Sequence, residues 1–314
     1  MVVYEATMIG LIDADILVFR AGFAAERNQW FVHIKTGPKA EDGAHTFQYK
    51  KEAELYLDDC LPGIYSREEG EDYRMWSERY LEPVENALHL VKQQMNKIMD
   101  ACDLTEFDVV CYLSGGMNFR YEVATTRPYK GNRDAKHRPT HEEAIKDYIR
   151  GKWNTVVTDG IEADDQLGID QCRAEQYTTC IISIDKDLNM IPGLHYDFLH
   201  DLHYEISEEQ GWYLFCKQLL TGDTTDNIPG LEGVGPKKAD KILDGLQGDQ
   251  LLEAVSTEYA SRSGKRDWFA YLREQAALIW ILREERTDVS IISDALNTTG
   301  GTPDGEPNEI SLFD

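Results

Sequence analysis

Two short apolar runs that end in carboxylates constrain this chain more than any other feature. Met8 to Asp13 reads M-I-G-L-I-D, and Thr179 to Asp187 reads T-C-I-I-S-I-D-K-D. An apolar run of this length suits a strand buried on both faces of a parallel sheet. Acids at the carboxyl ends of such strands meet at one sheet edge, where ligands of open α/β sheets gather.

Further acids point to the same edge. Gly160 to Asp165 reads G-I-E-A-D-D, and Gly222 to Gly235 reads G-D-T-T-D-N-I-P-G-L-E-G-V-G. Like charges at close range repel and raise one another's pKa, so a convergence of this kind calls for a cation. Taken singly, the acids of E-A-D-D suit a helix N-terminus and those of I-D-K-D a strand exit. Their recurrence favours a metal site. Oxygen ligands without nearby His or Cys pairs favour Mg²⁺ or Mn²⁺ over zinc.

Other elements follow the same alternation. Pro83 to Cys102 carries Val84, Leu88, Val91, Met95, Ile98 and Cys102 at helical spacing, with Pro83 suited to the first turn. Strands are expected at Phe107 to Leu113, Thr155 to Val157 and Thr179 to Ile184, with a helix near Ala163 to Ala174 before the last. This pattern predicts a doubly wound, mostly parallel α/β sheet. Pro38 to Glu82 is polar, acidic and rich in Tyr, and reads as an insertion. After Tyr204 the pattern is helical: Glu208 to Leu220, Lys237 to Leu243 and Trp268 to Leu282. The expected organisation is a catalytic domain over 1–206, a helical region over 207–290 and a flexible tail over 291–314.

Ile228 to Leu243 carries Gly233 and Gly235 around Val234, then Pro236 at the first position of a helix. Glycines let backbone N–H groups turn toward a phosphate, and the helix N-terminus adds partial positive charge. Lys237, Lys238 and Lys241 lie alongside. Such a hairpin reads backbone rather than base edges. In R-P-Y-K-G-N-R, Lys130 and Arg133 suit a phosphate clamp. Tyr129 offers a ring for base stacking or for packing.

Charge alone argues against a polyanionic ligand, since 57 acids against 32 bases give a formal charge of -25. The distribution matters more. Glu41 to Glu82 is strongly acidic, whereas Val110 to Trp153 carries 9 bases and 5 acids. Six scattered cysteines without C-x-x-C spacing read as reduced thiols of a cytosolic protein. No export signal or membrane-spanning run is evident, so a cytoplasmic site is expected.

In combination, these motifs resemble the 5′ nuclease family: phage 5′→3′ exonucleases, flap endonucleases and the 5′ nuclease domain of bacterial DNA polymerase I. The order I-D, Y-K-G-N-R, G-x-E-A-D-D, S-x-D-x-D, G-D-x-x-D-N-I-x-G-x-x-G-x-G runs from Met8 to about Leu243. The resemblance implies a PIN-like sheet with a helical DNA-binding hairpin. It implies two divalent ions held by Asp13, Glu162, Asp164, Asp165, Asp185, Asp187, Asp223 and Asp226. Lys130 and Arg133 then contact the scissile phosphate. Tyr129, Gly233, Val234, Gly235, Lys237 and Lys238 contact DNA, with a monovalent cation such as K⁺ at the hairpin. The implied substrates are duplex, nicked or flapped DNA, or RNA–DNA hybrids.

Two departures stand out. Leu113 to Arg120 reads L-S-G-G-M-N-F-R, without the acid that family members usually place after the second strand, and Asp15 is a candidate substitute. The span from Lys130 to Glu162 is short for a full helical arch. Two rival readings are a non-catalytic binder of branched DNA and a toxin-like PIN ribonuclease; the Gly233 hairpin counts against the latter. The last residues, E-I-S-L-F-D, hold Ile310, Leu312 and Phe313 after a polar linker. They resemble a sliding-clamp docking peptide, the alternative being self-packing.

Overall fold

The computed structural model describes residues 8–63, 67–132, 138–262 and 267–285. Arg133 and the tail carrying Ile310, Leu312 and Phe313 lie outside the described residues. The chain divides into two compact units. One takes Met1–Ile16, Asn96–His137 and Ile149–Asp314, and the other takes Leu17–Met95 and Arg138–Tyr148.

The first unit is built on a six-stranded sheet. β1 (Ile9–Asp13) is central, and α1 (Ala14–Ala24) begins at the next residue. The second unit contributes β2 (Glu26–Ile34), β3 (His45–Phe47), α2 (Lys50–Cys60) and β4 (Tyr73–Leu81). Next come α3 (Val84–Cys102), β5 (Val109–Leu113), α4 (Arg120–Val123), α5 (Glu142–Lys152), β6 (Asn154–Val157), α6 (Ala163–Arg173) and β7 (Thr179–Ile182). A 3-10 turn at Asp187–Met190 leads into β8 (Gly193–Asp197) and β9 (Leu202–Ile206). Helices α7 (Glu208–Thr221), α8 (Pro236–Leu243), α9 (Asp249–Arg262) and α10 (Trp268–Ile279) complete the elements of the described residues.

The sheet order is β6-β5-β1-β7-β8-β9. Every neighbouring pair is parallel except β8 with β9. Connections leave β1 for β5 on one side and β7 pairs on the other, so the strand order reverses beside β1. That reversal opens a crevice at the carboxyl ends of β1 and β7, the usual ligand position of a doubly wound sheet. The expected α/β fold is therefore present, with Asp13 ending β1 as the pattern requires.

The expected boundary at residue 206 is not where the chain divides. Leu11, Tyr112, Leu167 and Ile181 of the sheet layers share one apolar cluster with Phe215, Leu219, Leu252 and Leu272 of the later helices. Burying both sets in one core removes apolar surface from water at roughly 25 cal/mol per Å². The described residues of the polar 38–82 stretch lie in the second unit, where β3, β2 and β4 form an antiparallel sheet and Val32, Ile34, Ala53, Leu57, Cys60 and Leu61 form a small core. No described helix is long and apolar enough to cross a membrane.

Candidate metal and phosphate site

The crevice gathers acids from four separate stretches of chain. Asp13 is almost wholly buried at the end of β1, at 2% exposure. Ser183 Oγ donates to Asp13 Oδ2 at 2.7 Å, and the Ile16 amide donates to Oδ1 at 3.4 Å. Burial pushes the Asp13 carboxyl up to about 7, and neighbouring Asp15 and Asp185 add to the rise while Ser183 opposes it. Asp164 lies well above the usual carboxylate range, through burial and then the charges of Asp13, Asp185 and Glu162. Asp185 is raised by burial, with Asp226 and Asp223 contributing. Asp187 reaches about 7 by burial and the charge of Asp185, against a hydrogen bond from the Gln218 amide.

A cationic residue meets these acids. Lys130 Nζ hydrogen-bonds Glu162 and lies 3.7 Å from Asp226 Oδ2. Its backbone is left-handed at φ 53°. Such a conformation costs about 1–2 kcal/mol for a residue with a Cβ. It is held by docking of two loops: the Lys130 amide donates to the Asp226 carbonyl at 2.9 Å, Asn132 Nδ2 to the Thr224 carbonyl at 2.6 Å, and Asn227 Nδ2 to the Pro128 carbonyl at 2.9 Å. The Y-K-G-N and D-T-T-D-N motifs, remote in sequence, thus form one assembly.

Tyr129 is buried at 4% exposure, and its hydroxyl lies 2.9 Å from Glu162 Oε2 and 2.7 Å from Asp226 Oδ2. Of the two roles open to Tyr129, the geometry fits packing: the ring is buried, and its hydroxyl spaces two carboxylates. Burial and these two acids hold the phenol protonated.

Asp165 also departs from expectation. It is fully buried, and Arg120 grips it with both arms of the guanidinium, Nη1 to Oδ2 at 2.6 Å and Nη2 to Oδ1 at 2.8 Å. The Glu162 and Leu282 amides donate to the same carboxylate at 3.0 and 3.1 Å. With both oxygens engaged, Asp165 is an internal counterion rather than an open ligand. Glu162, by contrast, receives Asn118 Nδ2, the Tyr129 hydroxyl and Lys130 from the crevice side.

Asp15 lies one residue beyond Asp13's neighbour, at the start of α1. Its Oδ2 accepts the Ser114 amide at 2.9 Å. It therefore reaches the end of β5, where Leu113 is buried and no carboxylate stands. Ser114 Oγ accepts from the Ala163 amide at 3.1 Å, tying this strand end to α6.

The glycine hairpin is positioned from beneath. Leu231 and Val234 are buried, the Leu231 amide donates to the Leu220 carbonyl at 2.9 Å, and the Val234 amide to the Leu231 carbonyl at 3.1 Å. Val234 thus anchors the turn with its side chain. Gly233 is left-handed at φ 74° with open space where a Cβ would point. Gly235 precedes Pro236, the first residue of α8. Lys237 is exposed and Lys238 half-buried, and Lys238 Nζ donates to the Gly233 carbonyl at 3.1 Å.

The donor set is chemically suited to a hard divalent ion, being made of carboxylate oxygens, and burial followed by neighbouring negative charge raises Asp13, Asp164, Asp185 and Asp187 within it. Among the described residues, no group of three or more His, Cys, Asp or Glu side chains is gathered tightly enough to coordinate an ion as they stand. Asp13, Glu162, Asp164, Asp185, Asp187, Asp223 and Asp226 share the crevice region without forming a closed cage. Ser183, Gln218, Asn118 and Arg120 complete it and were not apparent from the sequence.

No family model matches this chain. DNA polymerase I of Rhizobium leguminosarum is 33% identical over a stretch covering 44% of this chain and 16% of that protein. DNA polymerase I of Bacillus caldotenax is 28% identical over 54% of this chain and 23% of that protein. The chain is thus homologous to part of DNA polymerase I and spans less than a quarter of the length of these relatives. Its fold matches the bacteriophage T5 D15 protein crystallised with metal ions, with a TM-score of 0.52, 13% identity, and coverage of 93% of this chain and 99% of that one. D15 is a flap endonuclease that has also been crystallised with DNA and metal ions.

Proposed function

We propose that this chain is a metal-dependent 5′ nuclease that hydrolyses phosphodiester bonds in DNA or RNA–DNA duplexes, from 5′ ends or at flaps. The observation that carries the reading is the crevice beside β1. Buried carboxylates with raised pKa values stand there next to Lys130, in a chain homologous to part of DNA polymerase I. The fold shared with D15 supports it. The nucleolytic activity, DNA as substrate and divalent ions as cofactors come to this chain by that route.

Asp13, Glu162, Asp164, Asp185, Asp187, Asp223 and Asp226 would hold two Mg²⁺ or Mn²⁺ ions. Bound, these ions would supply Lewis-acid activation of water and stabilisation of the departing oxygen. Lys130, which stands beside Glu162 and Asp226, would neutralise charge growing on the phosphate. Tyr129 keeps those two acids apart, Ser183 orients Asp13, and Gln218 orients Asp187. Arg133 would join Lys130 at the phosphate. Outward amides at Gly233 and Gly235, with Lys237 and Lys238, would grip the duplex backbone, with K⁺ as the monovalent ion of that turn.

The test is a digestion series on end-labelled blunt, nicked, flapped and RNA-primed duplexes, with Mg²⁺ or with EDTA. Mg²⁺-dependent release of 5′ products is expected. Intact substrate under all conditions, with tight binding to branched duplexes, would instead favour the non-catalytic binder. That second reading has one specific support, the absence of a carboxylate at the end of β5. We further propose that the chain works in the cytoplasm and that Ile310, Leu312 and Phe313 dock on a sliding clamp. A peptide spanning Asn308 to Asp314 should bind the clamp and lose binding on Phe313→Ala.

A further inference from the structure

We propose that Arg120 and Asp165 are positioning residues, and that together they make the segment Leu278–Leu282 a fixed part of the site. The proposal deepens the nuclease reading and rests on it for the identity of the reaction. It assigns Asp165 to holding the ligand-bearing helix rather than to an ion.

Arg120 stands at a junction of three chain segments. Besides Asp165, its Nε donates to the Leu278 carbonyl at 3.0 Å and its Nη2 to the Trp280 carbonyl at 2.6 Å. The guanidinium is buried at 2% exposure. Burial opposes its charge, and Asp165 and then Glu162 restore it. Asp165 returns the arrangement from the other side, accepting the Leu282 amide and the Glu162 amide. One charge pair therefore fixes both the entry to α6, which carries Glu162 and Asp164, and the chain just beyond α10.

Independent packing supports the same junction. A Cβ on Gly168, one turn along α6 from Asp165, would lie 2.4 Å from the Leu282 carbonyl oxygen. The helix therefore admits the segment only because that position is glycine. Arg283 then donates Nη2 to the Met190 carbonyl at 2.6 Å, tying the segment's exit to the turn that begins at Asp187. Leu278–Leu282 thus spans from Glu162 and Asp164 on one side to Asp187 on the other. Small shifts of such supports typically cost about 10–100-fold in metal affinity or activity.

The experiment compares wild type with Asp165→Asn, Arg120→Lys and the double variant Arg120→Met with Asp165→Leu. It reads thermal midpoint, Mn²⁺ affinity and stoichiometry, and single-turnover cleavage of flapped duplex against KM. Both single variants should weaken Mn²⁺ binding and slow the chemical step by about 10–100-fold, with stoichiometry and KM little changed. Replacing a buried ion pair by apolar residues is often neutral for stability. The double variant should therefore recover the thermal midpoint while affinity and rate stay low. Recovery of all three together would overturn the proposal, leaving the pair a role in folding alone. Loss of one equivalent of Mn²⁺ in Asp165→Asn at an unchanged thermal midpoint would also overturn it, by making Asp165 a ligand. A wild-type chain that binds Mn²⁺ yet leaves DNA intact would sink the nuclease reading alone, because the Mn²⁺ measurements still decide the role of the pair.

Discussion

Ser183 Oγ donates a hydrogen bond to Asp13 Oδ2 across the junction of β1 and β7, at 2.7 Å. The bond favours the ionised carboxylate, but burial wins and the group titrates at about 7. Asp13 is thus oriented for an ion while its charge is left unsatisfied. The same balance holds at Asp187, where Gln218 supplies the hydrogen bond.

A pH dependence follows from these raised values. Relative to an ordinary aspartate near 3.8, the folded chain holds protons on Asp13 and Asp187 up to about 7. The stability linked to these protons is fully present below pH 3.8 and is lost as pH rises through about 7. The EDTA-treated protein should therefore become less stable between pH 5 and pH 8, by about 1.4 kcal/mol for each tenfold difference in proton affinity between folded and unfolded chain, before other groups are counted. Mg²⁺ should restore more of the thermal midpoint at pH 8 than at pH 5. A midpoint that rises with pH in EDTA would reject the account.

Lys130→Ala should slow the chemical step by about 100–1,000-fold while changing KM little, as expected for a charge acting on the transition state. In the ion-free chain this lysine already occupies the space between Glu162 and Asp226. Its removal should therefore also tighten Mn²⁺ binding, since a competing cation is gone. Single-turnover kinetics and Mn²⁺ titration read the two effects separately. Equal losses in both would mean that Lys130 serves mainly to shape the site.

How much of this was legible in the sequence depends on where each partner lies. β1, α3, α6 and β7 were readable because a period of apolar residues is a local property. The small antiparallel sheet was not: β2, E-R-N-Q-W-F-V-H-I, is polar over its first half and buries chiefly Val32 and Ile34. Helix α10 stops at Ile279 although its apolar stripe continues to Leu282, because Arg120 and Asp165 capture the next backbone groups. The acids of E-A-D-D could not be ranked by composition. Asp165 follows Glu162 by three residues, the spacing at which a side chain reaches back to the first amide of a helix, but that spacing alone did not separate it from the acids read as metal ligands. Arg120 carried no such signal, since its partners are 45 and 158 residues distant.

Two glycines separate scaffold from contact surface. A Cβ on Gly230, at φ 61°, would lie 2.2 Å from the Gly222 nitrogen, so Gly230→Ala must displace the turn that holds Asp223 and Asp226. It should cost at least about 1–3 kcal/mol, the range for enforced backbone strain, and lower the thermal midpoint. Gly233 faces open space at φ 74°. Gly233→Ala should cost only about 1–2 kcal/mol of conformational strain, yet weaken duplex binding. Thermal melts paired with duplex titration distinguish them; equal melting losses would refute the distinction.

The two lysines of α8 should act on binding rather than on chemistry. Lys237 is exposed and Lys238 half-buried beside Gly233, and Lys238 reaches the Gly233 carbonyl rather than a carboxylate. On duplex DNA, each phosphate that a cation no longer neutralises lowers the slope of log affinity against log salt by about 0.9. The double variant Lys237→Ala, Lys238→Ala should therefore bind duplex more weakly at low salt, with a slope flatter by up to about 2. Its cleavage rate at saturating substrate should stay near wild type, because neither residue stands in the crevice beside β1. An unchanged salt slope would place the duplex grip elsewhere on the chain, and a lost chemical step with unchanged affinity would move these lysines into the catalytic group.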